Sequence, residues 1–116
     1  LQHDVSLVEK DYYPKGQVYQ TRLDQTKNAV DYRDKFVFQQ TNEHIILNLP
    51  VLNADTASIN FFRPSDISFD KLYDISSGDS IYGFPLSDFI HGKYQVKVFW
   101  QSGAKGYYFE REFFFE

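Results

Sequence analysis

The spacing of apolar positions changes period once along this chain. Tyr12, Gly16, Tyr19, Leu23, Thr26 and Val30 recur at alternating steps of four and three, which places them on one face of an α-helix. Lys15, Arg22, Asp24 and Asn28 fall on the opposite face. The stripe is one residue wide, and Gly and Thr fill two of its positions. Such a stripe suits docking against another surface better than nucleating a core. Two helix starts fit the residues. Ser6 and Glu9 match a capping box, whereas Asp11 can serve as N-cap with Pro14 inside the first turn. A helix running from Ser6 would carry Pro14 in its interior and kink there, so the start near Asp11 is favoured.

From Lys35 onward the period is two. Phe36 and Phe38 alternate in KFVFQQT, and Asn42-Glu43 marks a turn. Ile45, Leu47 and Leu49 alternate next. Residues 51–56 read as a loop, after which Ile59 and Phe61 share a face and Pro64-Ser65-Asp66 stops the strand. Ile67, Phe69 and Lys71 are expected in a short strand that ends at Ser76-Ser77-Gly78-Asp79. SIYGFPL forms another, interrupted at Gly83, and residues 86–92 connect onward. Tyr94, Val96, Val98 and Trp100 share a face against Gln95, Lys97 and Gln101, and GYYFEREFFF runs back after a turn at residues 102–105. Glu110 and Glu112 then face solvent. Phe109, Arg111 and Phe113 face inward, where Arg111 fits poorly except as a sheet-edge residue or the partner of an acid.

About seven short strands at regular spacing predict a mainly β chain: an immunoglobulin-like β-sandwich preceded by an N-terminal α-helix, with a small open barrel as the other arrangement. The division expected is a helical segment over residues 1–34 and the sandwich over residues 35–116.

Composition narrows the function. At 116 residues the chain is one domain, long enough to bury a core without staples. It has no Cys and a net charge of −4, which removes disulfides and thiolate metal sites and argues against nucleic acid. The 12 Phe, 9 Tyr and single Trp are the core and cross-strand pairs of a β domain. Trp100 alternates with the apolar face and reads as core. Of Tyr107 and Tyr108, one must point outward. No apolar run reaches the roughly 20 residues of a membrane helix, and the chain begins at Leu1 rather than Met. A processed or truncated product is therefore expected, with any membrane helix upstream.

Catalytic patterns are missing from the sequence. There is no G-x-S-x-G, no phosphate-binding glycine loop and no Ser/His/Asp pattern, so the reading is a non-enzyme without cofactor or small-molecule substrate. His3, His44 and His91 lack ligand spacing and read as ordinary histidines rather than a metal site. Asp55, Asp66, Asp70, Asp74, Asp79 and Asp88 read as turn and cap residues. The Tyr12-Tyr13 pair spans a broad helix flank. If a membrane anchor precedes it, both rings fall at the interface that tyrosine favours; packing of the helix onto the sandwich accounts for them equally well, and the two are compatible.

The run Leu7-Val8-Glu9-Lys10-Asp11-Tyr12-Tyr13-Pro14-Lys15-Gly16, with Tyr19, Gln20, Arg22 and Ala29 after it, resembles the FixH family. Phe62-Arg63-Pro64-Ser65-Asp66 at a strand end and Gly92-Lys93-Tyr94-Gln95-Val96 entering the penultimate strand extend the resemblance over nearly the whole chain. Two features depart from the pattern: Pro14 stands where family helices carry a helix former, and many members have Trp where Tyr94 stands. The resemblance implies a membrane-tethered accessory factor in maturation of cbb-type cytochrome c oxidase, linked to copper homeostasis and respiration. It implies a position at the periplasmic face of the inner membrane, held by an N-terminal transmembrane helix that is not in this sequence. The partners implied are cytochrome c oxidase subunits and the membrane surface. On the helix, Asp11, Tyr12, Tyr13, Lys15, Gly16 and Tyr19 are the expected contact residues. A copper-binding sandwich using His44 and His91, and an adhesion or carbohydrate-binding module using exposed aromatics, are the alternatives.

Overall fold

The computed structural model describes residues 20–116. Residues 20–29 are helical (α1), and a 3-10 turn at Arg33–Lys35 leads into seven strands. These are β1 (Val37–Gln40), β2 (His44–Asn48), β3 (Thr56–Phe62), β4 (Lys71–Asp74), β5 (Ile81–Pro85), β6 (Gly92–Ser102) and β7 (Lys105–Phe115). All pair antiparallel, in a three-stranded sheet β1-β2-β5 and a four-stranded sheet β4-β3-β6-β7. The immunoglobulin-like sandwich is thus the observed architecture. Its fourth strand pairs with the third, not with the first sheet as in constant-type immunoglobulin domains.

Period-two alternation builds the core directly. On β6, Tyr94, Val96, Val98 and Trp100 are fully buried; on β3, Ala57, Ile59 and Phe61 face the same space, and Ile45 and Leu47 of β2 close it from the other sheet. Aromatic rings fill most of the volume. Trp100, 0% exposed, is stacked on Tyr107 with ring centroids 4.9 Å apart, and takes Tyr32 edge-on at 5.6 Å. A second cluster centres on Phe61, with Phe89 at 4.9 Å and Phe84 at 5.4 Å, both edge-on. Such pairs add about 0.5–1.5 kcal/mol each beyond their burial.

One corner of the sandwich is fixed by a hydroxyl. Tyr94, near the start of β6, accepts a hydrogen bond on its phenol oxygen from the Ile90 backbone N–H at 2.9 Å. This is the tyrosine corner of immunoglobulin-like sandwiches, which pins the connection arriving from the opposite sheet.

Three local expectations are corrected. Ile67–Phe69 is a 3-10 turn, not a strand, because the Asp66 side chain accepts from the Ser68 N–H and caps it; extended structure resumes only at Lys71. Gly83 does not interrupt its strand, since it pairs with Ile46 inside a continuous β2–β5 ladder. Residues 86–92 are not one open loop, because Leu86–Asp88 forms a further 3-10 turn and β6 already begins at Gly92.

Arg111 does lie on an edge strand, β7, but among the described residues it pairs with no acid. Its guanidinium points inward and donates to the carbonyls of Phe36 and Arg33. Burial and the Arg33 charge nearby pull its pKa below the ordinary arginine value. Arg33 in turn donates to the Glu110 carbonyl at 3.4 Å, and Asn28 donates to the Gly106 carbonyl at 2.8 Å. Two outward carbonyls of the β7 edge are therefore occupied by side chains from the helix and its connection, which blunts that edge against strand addition.

Candidate interaction surface

Asp11, Tyr12, Tyr13, Lys15, Gly16 and Tyr19 lie outside the described residues. The part of the helix that is described, α1, settles how this element meets the sandwich. Arg22 lies over the Tyr108 ring, its guanidinium carbon 3.7 Å from the centroid. Gln25 packs against Gly106, where an added Cβ would sit 3.0 Å from the amide nitrogen of Gln25. Asn28 bonds the Gly106 carbonyl, Ala29 is fully buried, and Tyr32 enters the Trp100 cluster. The contact face is thus Arg22, Gln25, Ala29 and Tyr32, with Asn28 beside it.

The apolar stripe faces the other way. Leu23 is 40% exposed and Val30 57%, and Thr26 between them is exposed. Arg22 and Asn28, read as opposite the stripe, contact the sandwich instead, whereas Asp24 is exposed, for a physical reason. The sandwich offers α1 backbone carbonyls and an aromatic π-face, which cationic and amide side chains satisfy and aliphatic ones do not. Ala29 contributes only its small size, which lets the helix approach. The spacing 22-25-29-32 is present in the sequence, but a search for hydrophobic periodicity passes over Arg and Gln.

Below Arg22, the Tyr108 hydroxyl donates to a Glu110 carboxylate oxygen, and the second oxygen accepts from Gln95 at 3.1 Å. Burial, then the Glu110 contact, pushes the Tyr108 phenol well above its ordinary pKa. Arg22 therefore rests on a neutral ring held in place by hydrogen bonds.

The two strand-end segments that carry the family resemblance come together at the opposite end of the sandwich. Arg63 donates to the Lys93 carbonyl at 3.2 Å and lies over the Tyr94 ring at 5.1 Å. Its own backbone N–H is taken by Asp70 at 2.7 Å. Asp66 accepts from the Ser68 N–H and hydroxyl at 3.0 and 2.6 Å; these bonds, more than the Arg63 charge, hold its carboxyl below the usual range. Gly92 has φ +123, and a Cβ there would lie 2.5 Å from an Arg63 nitrogen. These residues brace the corner that Tyr94 pins.

The remaining candidates have local partners. Asp55 accepts from Gly103 N–H at 2.8 Å, Asp74 from Ser76 N–H at 2.8 Å, Asp79 from the Ser77 hydroxyl at 3.1 Å and Asp88 from the Tyr73 hydroxyl at 3.4 Å. His91 stacks on Phe115 at 4.9 Å, while His44 opens β2 beside Gly83. Among the described residues, no three His, Asp or Glu side chains converge as a metal site would require, and no helix is long and apolar enough to cross a membrane. Trp100 is core, as its alternation predicts. Both Tyr107 and Tyr108 are half-buried, under Trp100 and Arg22 respectively.

No curated protein and no solved structure matches the chain. The FixH family model matches residues 1–114, spanning the helix and the sandwich together. The chain belongs to the FixH family.

Proposed function

We propose that this chain is a non-enzymatic accessory factor in maturation of cbb-type cytochrome c oxidase, tethered at the periplasmic face of the inner membrane and acting through protein–protein contacts. The observation that carries the reading is the family match over residues 1–114, which supports an accessory role in oxidase maturation. The orientation of α1 is compatible with it, since the helix gives its polar side to its own sandwich and leaves its apolar stripe outward. In this reading Asp11, Tyr12, Tyr13, Lys15, Gly16 and Tyr19 belong to the contact region with oxidase subunits or the membrane surface. A chain with no Cys and no Met offers none of the soft ligands that copper(I) prefers, which fits an interaction role better than copper carriage.

Affinity purification of the full-length protein from solubilised membranes tests the proposal. Oxidase subunits should be recovered with it. Recovery no greater than from cells lacking the tagged protein would refute a direct contact.

A further inference from the structure

Among the described residues the two sheets have four edge strands, and one of them is long. β1, β4 and β5 carry four, four and five residues, whereas β7 runs for eleven. A short edge offers few backbone groups to an added strand, but a long regular edge is a template for one. Hydrogen bonding alternates along the β6–β7 ladder, so the backbone groups of Gly106, Tyr108, Glu110 and Glu112 point away from β6. α1 and its connection lie on this stretch. Asn28 donates to the Gly106 carbonyl and Arg33 to the Glu110 carbonyl, while Arg22 covers the Tyr108 ring between them. The one edge long enough to accept a strand is the one that carries a cover.

The cover is held unevenly along its length. Past the end of α1, Tyr32 meets Trp100 and Tyr107 edge-on, and Phe36 packs on Trp100 and Phe109. Those rings belong to the core. Along residues 20–29 the contacts of Arg22, Gln25 and Asn28 are polar, and Ala29 is the one buried side chain. Water replaces polar contacts readily, but it does not replace buried rings. α1 is therefore a strap with one fixed end, at Tyr32, and one releasable end. The edge beneath it is self-complementary. Two β7 strands paired antiparallel about a two-fold axis at Phe109 set Tyr108 of one copy opposite Glu110 of the other. The hydrogen bond these two side chains make within one chain then forms between chains, and no two acidic residues face each other.

We infer that α1 is a releasable cap that keeps the chain monomeric, and that its release lets the β7 edge pair with the β7 edge of a second copy. Gly106 makes the cap possible, since a Cβ there would meet Gln25 and hold the helix off. Neither step depends on what the chain contacts at the membrane.

Analytical ultracentrifugation of the 116-residue chain is the test, with two pairs of substitutions combined in one variant. Arg22→Glu/Asn28→Asp takes the cation off Tyr108 and sets a carboxylate against the Gly106 carbonyl, which opens the cap. Gln25→Cys/Gly106→Cys closes it reversibly. A Cβ at 106 would stand 3.3 Å from Cγ of Gln25, close to the spacing between a Cβ and the far sulfur of a disulfide, and the chain has no cysteine of its own. The oxidised variant should remain monomeric, as wild type does. Reduction should strengthen self-association by about tenfold or more over wild type. Tyr108→Pro added to the reduced variant should abolish the dimer, because it removes an outward N–H and leaves the bonds to β6 in place. A reduced variant that stays monomeric would overturn the inference. So would a dimer of equal strength in the oxidised variant or in wild type, or one that survives Tyr108→Pro.

Discussion

The guanidinium of Arg111 donates to the Phe36 carbonyl at 2.6 Å, joining the edge strand of the four-stranded sheet to the residue that precedes β1 of the other sheet. A second guanidinium nitrogen takes the Arg33 carbonyl, and the plane lies over Phe109 and Phe38 at 5.3 and 5.6 Å. One planar fork therefore closes the turn between helix and sandwich and covers the seam between sheets. Lysine cannot span two carbonyls in that geometry. Arg111→Lys should cost about 1 kcal/mol and Arg111→Met about 2 kcal/mol in urea denaturation. An unchanged midpoint for both variants would show that the fork does not hold the seam.

The tyrosine corner makes a sharper case, because the substitution removes one atom. Tyr94→Phe keeps the buried ring but leaves the Ile90 N–H without its acceptor. A loss of about 1–2 kcal/mol is expected, with β6 packing intact by NMR.

Two glycines with positive φ separate strain from crowding. Gly103 (φ +59) has open space where a Cβ would stand, whereas at Gly92 (φ +123) the Cβ would meet the Arg63 guanidinium. Gly103→Ala should cost about 1 kcal/mol, the left-handed penalty alone. Gly92→Ala should cost about 2 kcal/mol or more, because Arg63 must also leave the Lys93 carbonyl. Equal losses in thermal unfolding would contradict the bracing role of Arg63.

Burial, followed by the Asp88 carboxylate 3.4 Å away, pushes the Tyr73 phenol up to about 12. The phenol is neutral when protonated, so the native state holds this proton more tightly than the unfolded chain does. The linked stability is present below the ordinary tyrosine pKa of about 10 and is lost as pH rises from there through the folded value. Wild-type protein should lose Tm over that alkaline range, and Tyr73→Phe should lose less. Parallel curves would mean that Tyr73 titrates as an exposed phenol.

Much of the fold is legible in the sequence because the strands obey their period. Tyr94, Val96, Val98 and Trp100 alternate as the sequence predicts, and the β6–β7 hairpin turns at the expected residues. Three of the departures share one cause, polar bonding that outweighs the apolar pattern. At Asp66, side-chain capping overrides the alternation of Ile67 and Phe69. On α1, hydrogen bonding to carbonyls and stacking on a π-face override hydrophobicity, so Arg22 and Asn28 face inward while Leu23 and Val30 face out. Arg111 stands out of place between Phe109 and Phe113, but its Phe36 acceptor is a backbone carbonyl 75 residues away, which no local pattern encodes. Arg63 and Gly92 stand in separate segments of the family resemblance, and only the register of β3 against β6 brings them together.

Action in oxidase maturation by direct contact is tested most directly in membranes of a strain lacking the gene. The quantity to measure is the amount and activity of assembled cbb-type oxidase, with and without the full-length protein restored. Assembled oxidase should fall in the deletion strain and return with the wild-type gene. It should fail to return with a Tyr12→Ala/Tyr13→Ala variant that still folds. Unchanged oxidase content and activity in the deletion strain would contradict the proposed role.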